Sequence, residues 1–121
     1  MSGWKIQMEE KIKQLYENIN FIGYYCMFYR KNDYVEKAKK MLPEITEFVE
    51  WFMNGNHFNI DEELYIALQQ NMNDILKDMQ TALEENDRVL MLDALEHGIS
   101  EYLKMFLPEE YLEELGERAD G

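Results

Sequence analysis

The sequence predicts an all-α protein, an up-down-up-down four-helix bundle, and three observations carry that expectation. Apolar residues recur at steps of three and four over four long stretches, the spacing of helices that bury one stripe. Only two prolines and six glycines interrupt 121 residues, and each stretch ends where Asn, Gly or Pro stands ready to turn the chain. The same Asn-Asp pair punctuates it twice, at Asn32-Asp33 and at Asn86-Asp87. This length suits one domain, able to bury roughly two-thirds of its unfolded surface.

The first stretch covers residues 4–29. Its seam is Met8, Ile12, Leu15, Ile19, Ile22, Cys26 and Tyr29. The second begins at Asp33 and ends near Met53, with Val35, Ala38, Met41, Leu42, Ile45, Phe48, Val49 and Phe52 inward. Asp33 is placed to cap it, and Glu36 completes a box-like arrangement. Pro43 in its middle lacks a backbone donor and crowds the carbonyl four residues back. The apolar spacing stays in phase across it, which favours a kink over a separate helix opening at Pro43. Residues 54–59 read as a loop, since Asn-Gly favours turns with positive φ.

The third stretch runs from about Asp61 to Glu85. Tyr65, Leu68, Met72, Ile75, Met79 and Ala82 form its stripe, widened by Leu64, Leu76 and Leu83. The fourth runs from Asp87 to Phe106 on Val89, Leu92, Leu95, Ile99, Tyr102, Leu103 and Phe106. Leu107-Pro108 ends it, because proline pushes the preceding residue out of helical geometry. Residues 109–115 add a short amphipathic helix before a frayed tail. The organisation is thus a hairpin over 4–53, a hairpin over 61–106 and a tail over 109–121, all one domain.

The repeated Asn-Asp suggests that the hairpins repeat. The shift carrying Asn32 and Asp33 onto Asn86 and Asp87 also carries Val35, Glu47 and Phe52 onto Val89, Glu101 and Phe106. Two unrelated amphipathic hairpins align comparably when the offset is free, so true duplication stays open.

Composition narrows the function classes. A net charge of −13 argues against nucleic acid and anionic membranes, since phosphate binding runs on Lys and Arg. It suits a basic partner or solubility. The single cysteine, Cys26, forms no internal disulfide, as expected of a reducing cytoplasm. No basic start precedes an apolar run, so no signal peptide is expected. The longest uncharged apolar run, residues 21–29, is far short of the roughly 20 residues that span a bilayer.

Candidate chemistry is thin. A di-iron bundle site needs two inward Glu-x-x-His pairs and two further Glu residues. His97 has Asp93 four residues before it and no carboxylate at three; it reads as a solvated flank. His57, between Asn56 and Asn59, reads as a turn residue. Glu44/Glu47, Glu47/Glu50 and Glu84/Asp87 have the local spacing of the all-α pyrophosphohydrolases. The last pair straddles an expected turn, and hard cations need several converging oxygens. No Gly-rich phosphate loop is present, and Cys26 lies on the seam as a core residue. The expectation is no catalytic residue, no metal, no cofactor and no enzyme; a metal-dependent hydrolase of the all-α carboxylate type, using clustered Glu residues, is the alternative.

The least ordinary segment is "FIGYYCMFY" at residues 21–29. Ile22, Cys26 and Tyr29 belong to the seam, so Phe21, Tyr24, Tyr25 and Phe28 form a second aromatic stripe. Their rings either pack while the tyrosine hydroxyls reach the rim, or they form a surface for a protein partner or for self-association.

Two resemblances follow. "LYENINFI", "NDYVEKAKKML" and "ALEEND" together resemble the flagellin export chaperones of bacteria, small cytoplasmic helical bundles that hold the helical C-terminal part of flagellin before secretion. Leu15-Tyr16-Glu17 is similar to their Leu-Tyr-Asp-Gly, with Asn18 replacing the glycine, and the tryptophan that often ends their last helix is absent. The segment "ENDRVLMLDALEHGISEYLKMF" is similar to uncharacterised small helical proteins of Gram-positive bacteria. The chaperone resemblance implies a cytoplasmic adaptor or chaperone for a helical segment of another protein. An acidic inhibitor of a basic surface is a further alternative.

Overall fold

The computed structural model describes the backbone of residues 3–28, 33–57 and 59–120, and the side chains of residues 8–27, 33–57 and 59–115. Helix α1 spans Gly3–Phe28, α2 Tyr34–Lys40, α3 Leu42–Asn54, α4 Glu62–Glu85 and α5 Arg88–Ala94. A π-turn over Leu95–Ile99 leads into α6, Ser100–Met105, and α7 covers Glu109–Asp120. The described residues contain no strand, so the protein is all-α.

The first seam buries as its spacing requires. Ile12, Leu15, Ile19, Ile22 and Cys26 are buried, joined by Tyr16, and Met8 is partly covered. They pack against α2, α3, the π-turn and α6. Tyr29 and Asn32 lie outside the described residues. Helix α4 packs on α5, the π-turn and α2, burying Met72, Ile75, Met79 and Ala82. Two buried or half-buried tyrosines tie helices by donating to backbone carbonyls: Tyr65 to Phe52 at 2.6 Å and Tyr102 to Leu68 at 2.7 Å. The Tyr102 oxygen also accepts from Asn71 at 2.8 Å, which satisfies it inside the fold.

Several details differ from expectation. The second stretch is two helices: α2 stops at Lys40, Met41 sits at φ −93° and ψ −2°, and α3 restarts with Pro43 in its first turn. At the start of a helix the missing proline N–H leaves no bond unmade, so a restart costs less than an interior kink. The apolar phase survives the break, since Ala38, Met41, Ile45 and Phe48 are all buried. Asp33 makes no capping hydrogen bond to α2. At φ −93° and ψ 1° its backbone is already nearly helical, unlike the extended backbone that lets a cap reach forward. Asp87 does cap: its backbone is extended and Oδ1 accepts from the Leu90 N–H at 3.0 Å. Asn86 supplies the left-handed residue, at φ 51°.

In the loop, Gly55 is extended and the positive φ falls on Asn59. The Asn56 side chain clasps Ile60, accepting from its N–H at 2.8 Å and donating to its carbonyl. Leu64 is exposed because Tyr65 takes the inward place at the start of α4. Val89 is also exposed, two residues from the buried Met91 and hence on the other side of the helix. The tail continues as helix to Asp120 rather than fraying after 115, held by Tyr111, Leu112 and Leu115 against the core.

The π-turn has a cause in the sequence. From Met91 to Leu107 the buried residues advance by fours, as Met91, Leu95, Ile99, Leu103 and Leu107 beside Ala94, Gly98, Tyr102 and Phe106. In an α-helix each four-residue step drifts about 40° around the axis. One wider turn absorbs part of that drift and keeps both rows facing the core.

Candidate functional site

On α1 the face opposite Ile19, Ile22 and Cys26 carries Phe21 and Tyr24, with Met27 at its edge. All three are strongly exposed, at 66%, 57% and 64%. Tyr25 differs: it is half-buried, stacks on Phe21 with ring centroids 6.1 Å apart, and has the Lys37 ammonium 4.7 Å from its ring centre. Tyr25 therefore belongs to the α1–α2 junction and supports Phe21 from the side. The Phe28 side chain lies outside the described residues. One turn before Phe21, Tyr111 of α7 touches the flank of α1, where Glu17 stays exposed. The Tyr111 hydroxyl contacts the Glu17 carboxylate and donates to the Lys13 carbonyl at 3.4 Å, and Lys13 Nζ is 5.1 Å from the Tyr111 ring centre.

A second grouping, which sequence reasoning missed, surrounds the π-turn. A Cβ placed on Gly23 would lie 2.7 Å from Glu96 Oε1, so this carboxylate rests directly on the α1 backbone. Tyr34 is fully buried, and its hydroxyl has no hydrogen-bond partner among the described residues. Burial drives its pKa well above the ordinary tyrosine value, and the nearby Glu96 and Cys26 add to the rise. Burial also pushes up the Glu96 carboxyl, partly offset by His97, and the Cys26 thiol, partly offset by Lys37. A buried thiol with a raised pKa is a poor nucleophile. The clefts between α1 and α3 and between α3 and α4 are lined by none of these groups.

The pH consequence has a definite sign. Folding raises the Glu96 pKa, so this group's contribution is fully present below the unfolded carboxylate pKa. It is lost as pH rises through the folded value. Glu96→Gln should therefore raise Tm at pH 7 and lose that advantage near pH 4, as read by thermal melts across the range. An advantage that grew on acidification would contradict the burial argument.

The remaining candidates stay apart. His97 is exposed on the π-turn, and Asp93 is exposed on α5. His57 stacks on Trp51 at 4.2 Å, with its Nε2 2.8 Å from the Trp51 carbonyl oxygen. Glu44, Glu47 and Glu50 are exposed on α3, and Glu47 pairs with Lys11 at 2.8 Å. Asn86 separates Glu84 from Asp87. Among the described residues no three His, Cys, Asp or Glu side chains converge to hold a metal ion. No described helix is long and apolar enough to cross a membrane.

A family model described as Domain of unknown function (DUF8042) matches residues 6–109. The chain belongs to this family. The match runs from within α1 to the first residue of α7, the π-turn with Glu96 and Gly98 included. It accords with the likeness to uncharacterised small helical proteins. The likeness to flagellin export chaperones gains no support from it. No curated protein and no solved structure matches the chain.

Proposed function

We propose that this family member is a non-enzymatic adaptor or chaperone in the cytoplasm, an up-down-up-down four-helix bundle that holds a helical segment of another protein on the outer face of α1. The arrangement is supported by the pairing of α1 with α2, α3 and α6, and of α4 with α5 and α2. One observation carries the binding reading: Phe21, Tyr24 and Met27, three large apolar side chains on successive turns, stand in solvent. Single exposed apolar residues are ordinary, but a run of Phe, Tyr and Met is the composition of docking surfaces. The charge of −13 selects a partner with Lys or Arg beside its apolar stripe and opposes a second copy of the same chain.

The test uses the Phe21→Ser, Tyr24→Ser double variant. Both positions are exposed, so Tm should change little. A protein captured from the native host by the wild-type chain should be recovered at least about thirtyfold less by the variant, the effect of losing about 2 kcal/mol at a hot spot. The captured protein's own basic helix, as a synthetic peptide, should compete. Undiminished capture removes α1 from the reading, and a collapse of Tm makes these aromatics structural.

A further inference from the structure

Helices α3 and α4 are pinned together at one end and leave a gap further along. At the loop end, the Tyr65 hydroxyl donates to the Phe52 carbonyl and Gln69 Nε2 reaches the Met53 carbonyl at 3.5 Å. At the other end α4 packs on α2 rather than on α3. Between these points lies a cleft of about 220 Å³ floored by Leu42, Ile45 and Val49 of α3 and by Leu76, Met79 and Leu83 of α4. Thr46, Glu50 and Gln80, all exposed, form its rim, and among the described residues no Lys or Arg lines it.

We propose that this cleft is a second docking site, taking a two-turn stretch of an amphipathic helix whose apolar stripe is flanked by Lys or Arg. The length fits: Leu42 to Val49 and Leu76 to Leu83 each advance about 10 Å along their helices, two turns of a partner. The volume fits side-chain anchors better than a free small molecule, whose pockets run about 300–1,000 Å³. The charge fits as well. Among the described residues the only charged group lining the cleft is the Glu50 carboxylate, on a chain of net charge −13. A second copy would bring the same charge against it, whereas a basic helix meets it favourably. The site shares no residue with the outer face of α1, so it stands or falls separately from the function proposed above.

The experiment titrates the full ¹⁵N-labelled chain with a helical peptide of about four turns, Leu at positions i, i+3, i+4 and i+7 and Lys elsewhere. A matched peptide carries Glu for Lys. The Lys peptide should give saturable amide shifts centred on Thr46, Val49, Glu50, Met79, Gln80 and Leu83, and the Glu peptide should give none. Thr46→Arg with Gln80→Arg should weaken the affinity read from the cleft amides at least about tenfold, whereas any shifts at Phe21–Met27 report the outer face of α1 and are fitted separately. Should the double Arg variant fail to fold, Glu50→Lys on the exposed rim makes the same charge test. Shifts confined to Phe21–Met27, equal binding of the Glu peptide, or no shifts overturn the proposal. So does dimerisation of the free chain through the cleft, seen by light scattering.

Discussion

Phe52→Ala should lower the unfolding free energy by about 3–5 kcal/mol, the largest single loss expected in this protein. Phe52 is 1% exposed and stands where three helices meet. Its ring contacts Phe48 of α3 at 6.4 Å, Tyr65 of α4 at 5.5 Å and Tyr102 of α6 edge-on at 5.2 Å. Phe106, just past α6, closes the group at 6.1 Å, itself edge-on to Trp51 at 5.1 Å. Removing the ring leaves a cavity that these neighbours cannot all collapse into, because Tyr65 and Tyr102 are held by their hydroxyl bonds. A domain of this size has about 5–15 kcal/mol in total, so the variant should be barely folded at 37 °C. Denaturant titration decides it, with Phe21→Ala, at an exposed ring, as a control expected within about 0.5 kcal/mol. A loss at Phe52 below about 1 kcal/mol would mean that the aromatic group does not join the helices.

The parts of this fold legible in the sequence are those set by local periodicity. The α1 seam, the stripe of α4 and the Asn86-Asp87 turn follow from residue spacing and from the chemistry of two side chains. Tertiary pressure altered what periodicity left ambiguous. Val89 and Leu64 satisfy a helical stripe on paper, but burial of Met91 turns the side opposite Val89 inward, and the hydroxyl bond of Tyr65 holds Tyr65 rather than Leu64 toward α3. Pro43 is compatible with a kink or a start, and only the local backbone at Met41 decides between them. Of the candidate site, the exposure of Phe21 and Tyr24 was readable because the seam already accounted for Ile22 and Cys26. The pocketing of Glu96 against Gly23 was not, because a π-turn moves a residue that an ideal helix would place elsewhere. The unbroken four-residue spacing after Met91 was the available signal.

Gly98→Val should destabilise the protein by about 3 kcal/mol, and Ile75→Ala should relieve part of that cost when combined with it. Gly98 is buried in the π-turn, and a Cβ there would lie 3.1 Å from Ile75 Cγ2 and 3.2 Å from Cγ1 and Cδ1. Carbon atoms prefer about 3.5–4.0 Å, so even alanine presses on three atoms of one side chain. Alanine should come near break-even, since its better helix propensity returns about 1 kcal/mol. Valine adds two methyls where α4 already touches the turn and has no comparable propensity to offset them. Ile75→Ala alone should cost about 2–5 kcal/mol as a cavity. In the double variant the valine methyls occupy that space, so the two losses should fall short of additivity by at least about 1 kcal/mol. Strict additivity would place the strain somewhere other than the Gly98–Ile75 contact. A measured coupling would establish that glycine is required here by the close approach of the π-turn to α4, the same turn that lays Glu96 against α1.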